Sequence, residues 1–496
     1  MKIKKLVVLS LLFLGFSSCD DQLDIVQPSE INEAVIFSSI PTFRNALNTV
    51  YASFPYQNTM LFNAVWTDEI KIGLTNGGQG ITNGEHGYVL NDQSGDAGSI
   101  WNSHHRMINL ANRVIVGAPT VPVTSPAEEA TVRDIVAQAR FLRALTLIQV
   151  MPYFTTDLAD NAALSIIAFE DVPQTTAKRP RSTNGEVYAI IEADLTYAEA
   201  NLATRTGDDA LRFANLNGCK AIRARMALYR KQYPQAQQLA QDLIDVVPLS
   251  PRAQYTAMWS DANNNERIFF IARQVGNASF SGLFSNVGPG IGKNNWYEMG
   301  RGLFEKYAMN DIRRSAFTGL NDNSNVSTLG ISSVSPNPNT DPAYRENDQI
   351  CINKYPGKNN VPYLADFKIF RVAEMYMIKA EAQIAQNNLA GAAETLKAVR
   401  DARHTTVQPL PNYGSQQAAY QDLLLERRKE FCFEAMRYID IKRLGQVANV
   451  TFDRFFRDCA INNSCTPPAP GDHRFTMPIP NSERNANPNV VQNPNY

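Results

Sequence analysis

Asp422–Gly445 reads DLLLERRKEFCFEAMRYIDIKRLG. Leu424, Phe431, Ala435 and Tyr438 fall at spacings of seven, four and three, which sets them on one face of an α-helix. Glu426, Arg427, Arg428, Lys429 and Glu430 fill the other positions, with Arg427–Glu430 and Glu434–Arg437 placed to pair one turn apart. The spacing therefore predicts an amphipathic helix with a solvated charged face.

Working outward, helical hairpins recur. Ala224, Tyr233 and Ala236 have the same separations as Ala380, Leu389 and Ala392 much further along the chain. In both places a helix with a small-residue face turns at a polar break and returns, as a tetratricopeptide-type hairpin requires. Ser99–Gly117 and Glu128–Val150 read as an antiparallel pair. Four hairpins are expected, over Ser99–Val150, Gly185–Val246, Phe367–His404 and Tyr420–Gly445. The fold class is mainly α, an irregular tetratricopeptide-like scaffold with long loops and a few short strands.

Residues 247–366 interrupt that scaffold. Pro248 and Pro251 end a helix, Glu266–Ala272 reads as a strand, and Leu303–Ala316 reads as a helix. Asn277–Asn295 and Asn321–Ala343 are rich in Asn, Ser and Gly or Pro. Gly73–Gly98 holds eight glycines, a composition that makes a surface loop. Loops of this length within a compact unit are often functional.

The N-terminus is an address. Lys2, Lys4 and Lys5 precede the apolar run Leu6–Phe16, the layout of a secretory signal over residues 1–18. Ser17-Ser18-Cys19 resembles a lipobox, in which Cys19 is acylated and becomes the mature N-terminus; a simple cleaved signal is the alternative. Asp20 and Asp21 resemble the surface-export signal of Bacteroidetes-type lipoproteins. Acyl chains anchor a protein without a spanning helix. In 496 residues the formal charge is −1, which gives no reason to expect nucleic acid as a partner. Besides Cys19 there are five cysteines, an odd number for a disulfide framework. Cys459 and Cys465 lie close in a polar loop and could bridge; Cys351 is either free or paired.

The opening stretch resembles, almost position by position, the SusD/RagB family signature LLxERRxEFxxEGxRYxDLKR, with Ala435 where the family has Gly. Other motifs follow in the family's order. Trp101–Ile115 is similar to W-x-x-x-Y-x-x-I-x-x-A-N-R-V-I, and Ala137–Leu145 to A-E-A-R-F-L-R-A. Met477-Pro478-Ile479-Pro480 through Tyr496 is similar to P-I-P-x-x-E-x-x-x-N-P-x-x-x-Q-N-P-G-Y, with Asn495 in place of Gly. The resemblance implies one SusD-like domain over 19–496, with halves at 19–246 and 367–496 around the loop-rich insertion 247–366. It further implies a lipid-anchored protein on the outer face of the outer membrane. Such a protein binds an oligosaccharide or similar nutrient and passes it to a SusC-like TonB-dependent transporter. The partner supplies the energy, so no cofactor and no catalysis are implied.

The residues themselves carry little reaction chemistry. Five histidines are scattered, and the adjacent His104 and His105 point about 100° apart on a helix, too far to share an ion. Gly288–Lys293 fails the phosphate-loop pattern at Val287 and Asn294. Asp68-Glu69 and Asp208-Asp209 are carboxylate pairs of the kind a glycosidase needs, but any acid-rich chain offers such pairs. Sugar binding calls for aromatic faces flanked by amides. Trp66, Tyr88, Asn295, Trp296 and Tyr297, in two loops, are the candidates, with core packing as the competing role for Trp66 and Tyr88. Trp101 is assigned to packing. A ligand-free helical scaffold and a surface glycoside hydrolase are the alternatives.

Overall fold

The computed structural model describes residues 33–82, 84–174, 176–277, 280, 283–288, 292–320, 332–359 and 361–496. The leader 1–18, Cys19 and the first part of Asn321–Ala343 lie outside them.

Several helices open on side-chain caps. Ser39 accepts from the Thr42 amide to open α1 (Ile40–Ala52). After α2 (Tyr56–Trp66) and α3 (Gly95–Gly117), Ser125 caps α4 (Pro126–Phe154), whose first residue is proline. Thr183 and Glu186 form a capping box at α5 (Asn184–Asn201). Two hairpins follow the predicted repeat: α6 (Leu216–Tyr229) with α7 (Tyr233–Ile244), and α8 (Val372–Ala385) with α9 (Leu389–Arg403). Their turns match in detail. Lys231 and Asn387, at equivalent places in the two turns, carry φ of 57° and 60°. Ala224, Ala236, Ala380 and Ala392 are fully buried where the helices close up. Helix α7 packs on α8, so the hairpins stack, while α4 lies between α3 and α5. The tetratricopeptide-like, mainly α scaffold is as expected.

Three local readings change. Phe367–Arg371 is a strand rather than the start of a hairpin, and pairs antiparallel with Arg267–Ile271. Leu303–Ala316 divides into Arg301–Phe304 and Ile312–Thr318. Asp422–Gly445 is two helices, α10 (Gln416–Phe431) and α11 (Arg437–Ala448). The chain breaks between them where Phe433 and Ala435 adopt φ of 62° and 61°.

The charged residues of α10 are buried, not solvated. Glu426 and Glu430 have no exposed surface, and Arg427, Arg428 and Lys429 are buried beside them. Arg427 bonds Asp440 of α11 at 2.7 Å rather than Glu430. Glu430 meets Arg313, Arg371 and Arg403, each at 3.0 Å. Glu434 meets Lys354 at 2.6 Å and Arg371 at 2.8 Å. Helix α10 is thus an ionic hub joining α9, the Phe367–Arg371 strand and the insertion. Of the predicted apolar stripe only Leu424 and Phe431 lie on α10, with Ala435 in the break and Tyr438 on α11, and the partners of the charged run belong to other elements of the chain.

Two further cations replace counter-ions with carbonyls. Lys442 donates to Pro152 O at 2.7 Å and Thr155 O at 2.5 Å, at the carbonyl end of α4. Arg181, in the short basic run after Lys178, donates to Phe154 O at 2.7 Å and Ser165 O at 2.6 Å. Both cations sit where the helix dipole is negative. Among the described residues no helix is long and apolar enough to cross a membrane.

Candidate functional site

The two predicted loops meet. Ile70–Ile72 pairs antiparallel with Tyr297–Met299, bringing segments remote in the chain into one ladder with Lys71 opposite Glu298. The ladder extends into the loops: Gly73 N–H and Asn76 Nδ2 both donate to Trp296 O, at 2.9 and 2.8 Å. Thr75 Oγ1 donates to Asn295 O at 2.9 Å. A Cβ at Gly73 would lie 2.2 Å from Asn295 O, so only glycine permits this approach. Arg345, which sequence reasoning passed over, donates from Nη2 to Gly73 O at 3.2 Å.

The five candidates divide by depth. Trp66 and Tyr88 are buried in an aromatic cluster with Phe62, Tyr438, Phe452 and Phe475, where Trp66 meets Tyr88 edge-on at 5.5 Å. Tyr297 and Asn295 are buried beneath the joined loops. Gly80 passes close to the Tyr297 hydroxyl, where a Cβ would be 2.8 Å away. Trp296 alone of the five is partly exposed, packed against the edge of the core in the segment that bonds the Gly73–Asn76 turn, where Leu74 and Thr75 are exposed. Trp101 is buried and donates from Nε1 to Glu483 at 3.1 Å.

Charge lies behind this face. Lys71 Nζ is 2.6 Å from Asp348 and 3.6 Å from Glu298. Burial pushes the Glu298 carboxyl up to about 7, although Lys71 opposes the shift. Asp458 accepts from Tyr344 OH at 2.6 Å and from Arg301 N–H at 2.7 Å. Arg454 donates to Thr67 O at 2.8 Å and Val65 O at 3.0 Å, also reaches His86 O, and lies over the Tyr88 ring at 4.2 Å.

Asp68-Glu69 is also part of the frame. Burial raises the Asp68 carboxyl, but Arg428 and Arg437 outweigh it and hold the group well below the usual range. Arg437 grips it through Nε at 2.9 Å and Nη2 at 2.8 Å. Glu69, with no exposed surface, is pushed up to about 8 by burial and accepts from Phe433 N–H at 3.0 Å. Both carboxylates are buried. Cys459 and Cys465 are disulfide-bonded, while Cys219, Cys351 and Cys432 are buried thiols. Among the described residues no His, Cys, Asp and Glu group is arranged to hold a metal. A cleft of about 480 Å³ opens elsewhere, among Tyr229, Tyr233, Asp157, Asp472, His473 and Asn495, and none of the five candidates lines it.

The fold defines a class: a tetratricopeptide-like helical scaffold with two remote loops joined on one face. Residues 294–496 match the SusD family. Two SusD-like proteins of Formosa agariphila are 21% and 24% identical, each aligned over 99% of this chain and 98% of the relative. A SusD superfamily structure from Bacteroides thetaiotaomicron has a TM-score of 0.74 at 21% identity, covering 92% of this chain and 100% of that one. A SusD-like carbohydrate binding protein from Bacteroides vulgatus has a TM-score of 0.67 at 19% identity, covering 92% of this chain and 98% of that one. Residues 294–496 thus match the SusD family, and nearly the whole chain is similar to SusD-like proteins.

Proposed function

We propose that this protein is a lipoprotein of the outer-membrane surface, anchored through Cys19. It captures an oligosaccharide and delivers it to a SusC-like TonB-dependent transporter. The observation that carries the reading is the joining of the two loops, which leaves Trp296 partly exposed at the edge of the core. An indole face suits the apolar face of a sugar ring, and the flanking hydroxyl and amide groups of the loops suit its hydroxyls. Trp296 makes the contact; its buried neighbours Asn295 and Tyr297 anchor its segment, and Trp66 and Tyr88 pack the aromatic cluster below the first loop. The carbohydrate binding recorded for the Bacteroides vulgatus relative supports the ligand class. We further propose a single domain over 19–496, since the insertion's Arg267–Ile271 strand pairs with Phe367–Arg371.

Calorimetric titration of the chain from Asp20 onward against oligosaccharides and peptides tests this, with each mixture checked for cleavage. Saturable binding to intact oligosaccharide, weakened about tenfold or more by Trp296→Ala, is expected. Cleavage products would replace the reading with a hydrolase, and absence of binding would favour a ligand-free scaffold.

A further inference from the structure

One short segment, Phe452–Cys465, touches the candidate face at many points although it lies near the opposite end of the chain from the first loop. Phe452 stacks on Tyr88 with ring centroids 6.0 Å apart and planes 6° from parallel. Arg454 takes three carbonyls of the Val65–His86 stretch, and Asp458 joins Arg301 to Tyr344. At the end of the segment, Asn462 Oδ1 lies 3.2 Å and Ser464 Oγ 3.3 Å from His86 Nδ1. His86 has no exposed surface, so these contacts fix how the Gly73–Tyr88 loop returns to the core.

The segment has little regular structure of its own. It contains the single helical turn Phe456–Cys459 and the 3-10 turn Ala460–Asn462, with Asn463 at φ 55°. Isolated turns of this size do not hold their shape in water. What closes this one is the Cys459–Cys465 bridge, with Ser464 N–H donating to Cys459 O at 3.0 Å inside the ring. Asn462 and Ser464 both lie within that ring.

We propose that the Cys459–Cys465 disulfide is a positioning element for the ligand face. It holds the turn bearing Asn462 and Ser464 against His86, and through His86 sets the Gly73–Tyr88 loop, whose Gly73 and Asn76 bond the Trp296 carbonyl. Its effect on affinity rests on the binding reading above; its effect on the loop does not. The bridge closes a short ring, so it removes little entropy from the unfolded chain and serves local shape more than global stability.

Amide exchange read by mass spectrometry tests this on the purified protein, oxidised and after reduction with dithiothreitol and thiol capping. Cys465 is exposed whereas Cys219, Cys351 and Cys432 are buried, so the reagents meet this bridge first. A Cys459→Ser/Cys465→Ser variant is measured in parallel. Exchange over residues 80–90 is expected to accelerate about tenfold or more, with 126–154 unchanged, because only a local opening is released. Affinity for the tightest oligosaccharide should fall at least about threefold, and reoxidation should restore it. Unchanged exchange over 80–90 would overturn the proposal. So would acceleration spread equally through 126–154, which would make the bridge a global staple. If no oligosaccharide binds the oxidised protein, the binding reading fails while exchange still decides the role of the bridge.

Discussion

Arg371, at the end of its strand, lies 3.0 Å from Glu430 of α10, and neither side chain is more than 1% exposed. Glu430 also faces Arg313 and Arg403, so one carboxylate holds three guanidinium groups out of water. Arg371 and Arg403 in turn reach Glu266 at 2.9 and 2.7 Å, which locks the insertion to the C-terminal helices.

Removing the charge from that hub should be costly. Glu430→Gln leaves three buried cations short of a counter-charge and is expected to destabilise by about 3–5 kcal/mol in urea unfolding. Arg133→Gln serves as a control, since Arg133 and Glu129 are 44% and 60% exposed. An exposed pair of this kind contributes at most about 1 kcal/mol. Equal losses in the two variants would show that the hub does not bear on stability.

Ala435 stands where the family has glycine, and its φ of 61° gives the physical reason. A Cβ in the left-handed region costs roughly 1–2 kcal/mol, partly offset by the greater freedom glycine has when unfolded. Ala435→Gly is therefore expected to stabilise by about 1 kcal/mol, read as a higher urea midpoint at an unchanged slope. Asn495, the other departure, sits at φ 70°, a conformation asparagine tolerates, and Asn495→Gly should change little.

These cases mark what was legible in the sequence. Hairpins could be read because their signals are local: Ala224 and Ala236, like Ala380 and Ala392, recur at matched separations and face inward where one helix returns on the other. The charged run of α10 could not be read as buried, because its counter-ions Arg313, Arg371 and Arg403 sit on other elements. The same holds at the candidate face. Composition marked both loops, but Trp66 and Tyr88 go inward because Tyr438, Phe452 and Phe475 arrive from the C-terminal segment to cover them. Arg345 and Arg454 act on backbone carbonyls, contacts that leave no spacing pattern.

Lys442 should prove structural. Its ammonium group binds two carbonyls at the end of α4 and lies 3.2 Å from Thr476 Oγ1. Lys442→Met keeps the aliphatic stem and removes these bonds, at a cost of roughly 2–3 kcal/mol. Amide exchange should rise in the last turn of α4 before it rises elsewhere; a loss spread evenly along the helix would argue against a capping role.

Asp68 and Glu69 are neighbours whose titrations pull stability in opposite directions. Glu69 has a folded pKa raised to about 8, above its unfolded value, so its contribution is full below the unfolded value and is lost as pH rises through about 8. Within that window the folded state holds the extra proton, and stability should fall by up to about 1.4 kcal/mol per pH unit. Asp68 is depressed by Arg428 and Arg437, so its contribution is present above the unfolded value and is lost as the solution becomes strongly acidic. Glu69→Gln, an uncharged mimic of the protonated acid, should flatten the decline between pH 5 and 8 and leave the acid limb intact. Asp68→Asn should do the reverse, and should destabilise at every pH above the acid limb because Arg437 loses its partner. Urea unfolding of the three proteins across pH 3–9 gives both slopes. A decline in Glu69→Gln as steep as that of the parent would show that another group, such as Glu298 with its carboxyl pushed up to about 7, carries the proton instead.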